Sequence, residues 1–244
     1  MIGQTFNICE CAVLAVAFCV AISFFSGCAQ TTPTSSPTSS PTSSPTSSHT
    51  QAAGHDLFDG KTLHGWVQLG GKAVYGVEEG CIVGETRPKQ PNSFLCTLQT
   101  YKDFTLDLEF NVDEGLNSGV QVRSQVGDER GDARGDARVY GYQVEIDPSA
   151  RSWTGGIYEE GRRGWLFSLA DDTKARAAFS HGEWNTLRIE CRGDSLRTWV
   201  NGIKAADLSD ALTREGFIGL QVHDVGARVE PLRIRWRNIH IRPE

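Results

Sequence analysis

The chain has 244 residues, with 24 Lys and Arg against 30 Asp and Glu, a formal charge of −6. That balance leaves no basic footprint for nucleic acid, so no nucleic-acid partner is expected. The length admits one sizeable domain, and the composition changes sharply near residue 55.

The N-terminal part reads as targeting and spacer. Residues 11–25 form a mostly apolar run interrupted by Ser23, too short to span a bilayer and placed as a signal h-region. Phe25-Ser26-Gly27-Cys28 follows and resembles a bacterial lipobox, which makes Cys28 the expected lipidation site. Residues 1–27 are then a signal peptide, and the protein an exported lipoprotein of the outer membrane or cell envelope. Pro-Thr-Ser-Ser repeats run through Ser48 with nothing apolar to bury, so residues 28–54 are expected to form a disordered tether.

Residues 55–244 carry period-two patterns broken at short intervals by turn residues. Strands are expected at 65–69, 74–77, 81–85, 93–97, 104–112, 119–124, 139–147, 184–191, 195–200, 217–223 and 232–241. Asn201-Gly202 is a hairpin signal. Leu208 and Leu212, four residues apart, suggest a short helical turn over 207–214. Many antiparallel strands in one domain of this size predict an all-β sandwich or jelly roll. Cys81, Cys96 and Cys191 are an odd set without zinc spacing. They read as buried small hydrophobes, with a Cys81–Cys96 disulfide as the alternative.

Four strands alternate apolar residues with groups suited to a polyhydroxylated ligand. Asp107 and Glu109 alternate in 105–110, Gln121 and Arg123 in 118–123, Gln143, Glu145 and Asp147 in 141–147, and Gln221 and His223 in 219–223. If these strands share one sheet, their polar side chains converge on one surface, with Val120, Val122, Val144, Ile146 and Val222 in the core. A one-residue slip would invert every assignment. The Arg-Gly-Asp-Ala repeat over 130–137 reads as a charged insertion loop rather than an adhesion motif. Trp66, Trp184, Trp199 and Trp236 read as packing residues.

The motif Leu57-Phe58-Asp59-Gly60-Lys61-Thr62-Leu63-His64-Gly65-Trp66 resembles the opening of the 3-keto-disaccharide hydrolase family. The resemblance continues at 117–123, 141–147, 154–158, 182–185, 199–202, 219–223 and 236–239. It implies a concanavalin A-like jelly roll with its ligand on the concave sheet. Many members carry Glu-x-Gln where this chain has Gln143-Val144-Glu145. The implied substrate is a 3-keto-glycoside, cleaved by C2 proton abstraction, elimination of the C1 substituent and hydration. Glu145 is the expected base and Arg123 the stabiliser of the enolate. His223 is a base or acid. Asn117, Gln121 and Gln143 are expected on sugar hydroxyls, with Trp165 as a stacking platform. Asp147 is a further substrate contact or a turn cap, and Glu145 and Arg123 could instead be an ion pair. A divalent metal is a possible cofactor, with Glu109, Glu145, Asp147 and His223 as candidate ligands. Two other readings stand beside this one. A retaining glycosidase would need a second carboxylate about 5–5.5 Å from Glu145, and the stretch after Asp147 supplies no Glu. A non-catalytic carbohydrate-binding module would use the same surface without turnover.

Overall fold

The computed structural model describes residues 53–127 and 138–244. The N-terminal apolar run, Cys28, the tether as far as residue 52 and the Arg-Gly-Asp repeat lie outside the described residues. In chain order the strands are β1 (His55–Asp56), β2 (Trp66–Gly70), β3 (Val74–Glu78), β4 (Cys81–Glu85), β5 (Ser93–Thr97), β6 (Phe104–Val112), β7 (Ser118–Val126) and β8 (Val139–Ile146). They continue as β9 (Ile157–Glu160), β10 (Gly164–Phe167), β11 (Asn185–Arg192), β12 (Ser195–Val200), β13 (Ile203–Ser209), β14 (Phe217–Val222) and β15 (Arg233–Pro243). Antiparallel pairing sorts them into an eight-stranded sheet, β13-β12-β11-β6-β15-β4-β3 with β1 on β15, and a seven-stranded sheet, β10-β9-β8-β7-β14-β5-β2. The architecture is an antiparallel jelly-roll sandwich.

Period-two patterning builds the core between the sheets. Phe104, Leu106, Leu108, Phe110 and Val112 of β6 face Val120, Val122, Val144, Ile146 and Val222 of the other sheet in one buried cluster. Each such side chain contributes roughly 1.5–3 kcal/mol by leaving water. The register of β7 on β8 pairs Val120 with Val144 and Gln121 with Gln143, so the expected core and polar faces hold there. Trp66 and Trp236 are buried packing residues. Trp184 lies under the Arg237 guanidinium, 3.9 Å from its ring centroid.

Two expectations change here. Residues 203–209 form strand β13 rather than joining a helical turn. Asn201 and Gly202, at φ of 48° and 78°, turn the chain back onto β12, and ladder bonds outweigh a local Leu208/Leu212 contact. The described helix is instead the short α1 (Thr173–Arg176), capped by Asp172. Asp107 and Glu109 lie on the outer face of the eight-stranded sheet, paired with Arg188, Arg242 and Arg237, and not with Glu145. Cys81 and Cys96 are free and buried in different sheets, so they form no disulfide with each other; Cys191 is also free and buried. Burial raises all three thiol pKa values, that of Cys191 to about 12.

The largest departure is Arg123. The β7–β8 register shifts between Val122 and Gln125, and Arg123 takes φ 48° at this bulge. A bulge inserts a residue and re-aims the side chains after it. Arg123 therefore leaves the polar face and binds the end of the opposite sheet. Its Nε donates to the Lys102 carbonyl at 2.6 Å, Nη1 to the Gly193 carbonyl at 2.7 Å and Nη2 to Asp103 Oδ1 at 2.9 Å. It is 2% exposed. Arg123→Met should strand these acceptors and cost on the order of 3 kcal/mol, read as a lower urea midpoint at unchanged m-value.

Candidate active site

The seven-stranded sheet turns a row of amides away from the core. Gly119 makes room for them: a Cβ at that position would lie 2.6 Å from Gln143 Cγ and Cδ. Gly141, at φ 131°, lets β8 approach β7, and a Cβ there would come 2.7 Å from Ser124 Oγ. Ser124 Oγ donates to Gln121 Oε1 at 2.7 Å, and Gln121 Nε2 to Gln143 Oε1 at 2.7 Å. Gln143 Nε2 then donates to Glu145 Oε2 at 2.9 Å. The relay points every donor toward one carboxylate. Asn117 Nδ2 adds a bond to Glu145 Oε1 at 2.6 Å, and Arg151 Nη2 approaches the same oxygen at 3.3 Å. Glu145 is 4% exposed. Burial pushes its pKa above the ordinary glutamate value, and the bonds from Asn117 and Gln143 and the charge of Arg151 offset this only in part.

Arg151 is held from behind. Its Nε donates to Asp147 Oδ2 at 2.7 Å, and its guanidinium lies 4.9 Å from the Trp153 ring and 5.0 Å from Trp165. Asp147 also accepts from the backbone N–H groups of Ser149 and Trp153, both at 3.1 Å. Burial works against the Asp147 charge, but the bonds from Ser149, Arg151 and Trp153 outweigh it and hold the carboxyl low. Asp147 thus organises the loop that carries Arg151.

These groups open into a cavity of about 490 Å³, within the range of small-ligand sites. Of the sequence-predicted residues, Asn117, Gln143, Glu145, Trp165 and His223 line it. Gln121 is fully buried within the relay, Asp147 is committed to its loop, and Arg123 belongs to the other end of the sandwich. Asn92, Arg151, Tyr158 and Glu160 line the cavity without having been singled out from the sequence. Arg151 stands four residues after Asp147, a spacing that could have signalled the pair. Tyr158 and Glu160 alternate along β9, outward of the fully buried Ile157 and Glu159.

On the far side, Asn92 is oriented by the Asp224 N–H, which donates to its Oδ1 at 2.9 Å, and its Nδ2 approaches Glu160 Oε1 at 3.4 Å. Burial raises the Glu160 pKa, with Asn92, His223 and Arg138 opposing. His223 Nδ1 faces the Asp224 carbonyl at 2.8 Å. A carbonyl only accepts, so Nδ1 carries the hydrogen and Nε2 of the neutral ring is an acceptor. Of the residues named as metal ligands, Glu109 lies on the other sheet. Among the described residues no group of three or more His, Cys, Asp and Glu side chains could hold a metal ion.

A jelly roll with an amide-lined, acid-bearing cavity on one sheet defines a glycosyl hydrolase-like or carbohydrate-binding domain. The chain belongs to the family of the 3-keto-alpha-glucoside-1,2-lyase-like domain, whose model matches residues 54–242. Comparison with curated proteins finds no match. Among solved structures, a candidate glycosyl hydrolase from Parabacteroides distasonis is 25% identical at TM-score 0.52, covering 79% of this chain and 100% of its own. A second candidate from that organism is 18% identical at TM-score 0.54, covering 78% and 94%. The carbohydrate-binding module CBM66 from Bacillus subtilis shares the fold at 18% identity and TM-score 0.52, covering 73% and 95%.

Because Arg151 favours the charged form of Glu145, Arg151→Gln should shift the Glu145 titration to higher pH. The carboxyl ¹³C resonance of Glu145 reports this directly.

Proposed function

We propose that this domain cleaves 3-keto-glycosides by elimination, with Glu145 taking the proton from C2. The observation that carries the reading is one buried carboxylate, ringed by amide donors and a guanidinium, at a sugar-sized cavity. A ketone at C3 acidifies the C2 hydrogen, and removal of that proton leaves an enolate. Glu145, its proton affinity raised by burial, suits the abstraction. Arg151 is the cation beside it and takes the role of stabilising the enolate oxygen. The electron pair then expels the C1 substituent, and addition of water completes a net hydrolysis. Asn117 and Gln143 fix the base, while Tyr158 and Trp165, packed edge to face, form an aromatic wall of the cavity. Family membership supports the 3-keto substrate class.

Double displacement on an unoxidised sugar fits less well. Asp147 is tied to Arg151 and its loop.

On a 3-keto-glucoside, Glu145→Gln should lower turnover by roughly 10²–10⁴-fold and abolish solvent-deuterium exchange at C2. Full activity in that variant would move the base to His223. Binding of several 3-keto sugars with neither exchange nor cleavage would favour the carbohydrate-binding module, and cleavage of unoxidised glycosides would replace the elimination route. Since burial raises the Glu145 pKa, kcat/KM should fall on acidification through an apparent pKa above the ordinary glutamate value of about 4.3.

We also propose that the mature protein is a lipoprotein anchored through Cys28. Mass spectrometry should find a diacylglyceryl-modified N-terminal Cys28, and an intact Met1 on the cellular protein would overturn this.

A further inference from the structure

A second cavity, of about 790 Å³, adjoins the first, and Asn92, Glu160 and His223 line both. Its wall includes Phe94 and Val139, which with Cys96 and Phe217 form an apolar cluster separate from the main core. Lys72 and Asp224 also line it. The first cavity holds the base and its donors; the second is more apolar and has no part in proton abstraction. Two compartments sharing one boundary suit the two halves of a glycoside, with the bond between them at that boundary.

We propose that the second cavity receives the leaving group and that Glu160 is the acid that protonates the glycosidic oxygen. The inference rests on the elimination reading of Glu145. As Glu145 takes the C2 hydrogen, the C2–H electron pair forms the enolate. Collapse of the enolate makes the C1–C2 double bond and breaks C1–O, and the departing oxygen takes the Glu160 proton. In the hydration step water adds to C1 and returns a proton to the Glu160 carboxylate, while the Glu145 carboxyl, its proton exchanged with solvent, protonates C2. Both carboxyls end as they began. Asn92 positions Glu160, since its own carbonyl oxygen is fixed by the Asp224 N–H. His223 stands at the same boundary, with its Nδ1–H turned to the Asp224 carbonyl. Burial favours a protonated Glu160, opposed first by the hydrogen bond from Asn92 and then by nearby positive charge, Arg138 included.

The test compares two 3-keto-glucosides, one releasing 4-nitrophenolate, which leaves without a proton, and one releasing methanol, which does not. In Glu160→Gln, release of methanol should fall roughly 10²–10³-fold, release of 4-nitrophenolate less than about tenfold, and C2 deuterium exchange should persist at the wild-type rate. Equal losses on both substrates, or loss of exchange together with cleavage, would overturn the assignment. The wild-type enzyme gives a check that needs no variant: its rates on the two substrates should lie close together, and a steep preference for 4-nitrophenolate would mean that no acid operates. Absence of C2 exchange in the wild type on either substrate would instead remove the elimination reading itself.

Discussion

A carboxylate taken out of water keeps its charge only where donors replace the water it loses. Glu145 meets that condition through Asn117, Gln143 and Arg151, and much of the seven-stranded sheet is arranged around them. Gly119 gives up a side chain so that the Gln143 amide can lie across it. Ser124 donates to Gln121 Oε1 and Gln121 Nε2 to Gln143 Oε1, which leaves the Gln143 NH2 facing Glu145. Asp147 spends its own charge holding the loop that brings Arg151 back over β8. The offset is incomplete, and the deficit is what makes the group basic.

The other sheet uses similar residues to a different end. Arg188 and Arg242 flank Asp107, Arg237 meets Glu109, and Arg233 meets Glu78 and Glu85, all on its outer face. Such solvent-screened pairs are each worth about 0–1 kcal/mol. They keep a broad sheet surface polar without perturbing any one group as Glu145 is perturbed. The same residue types become chemical only where loops and a facing strand shut out the solvent.

Much of this was legible in the residues. Alternation placed Val120, Val144 and Val222 inward and Asn117, Gln143, Glu145 and His223 at one cavity, because a buried face admits one register. Alternation failed at Arg123, where an inserted residue broke the period two positions after Gln121, and neither neighbour is a glycine to announce it. It could not assign β6 to a sheet, since Asp107 and Glu145 obey the same local rule and only the topology separates them. Glu160 and Tyr158 lie on a four-residue strand, too short to raise a periodic signal. Arg151 owes its position to the bond its Nε donates to Asp147, a contact within a loop that carries no periodic signal.

The buried cysteines carry a consequence for how such a domain tolerates its surroundings. Disulfide exchange needs an exposed thiolate, and Cys81, Cys96 and Cys191 are each buried, with raised pKa values. Folding therefore acts as redox protection, most fully for Cys96 and Cys191, which sit in the apolar clusters. Oxidants should govern how much protein reaches the native state far more than how long it lasts once there.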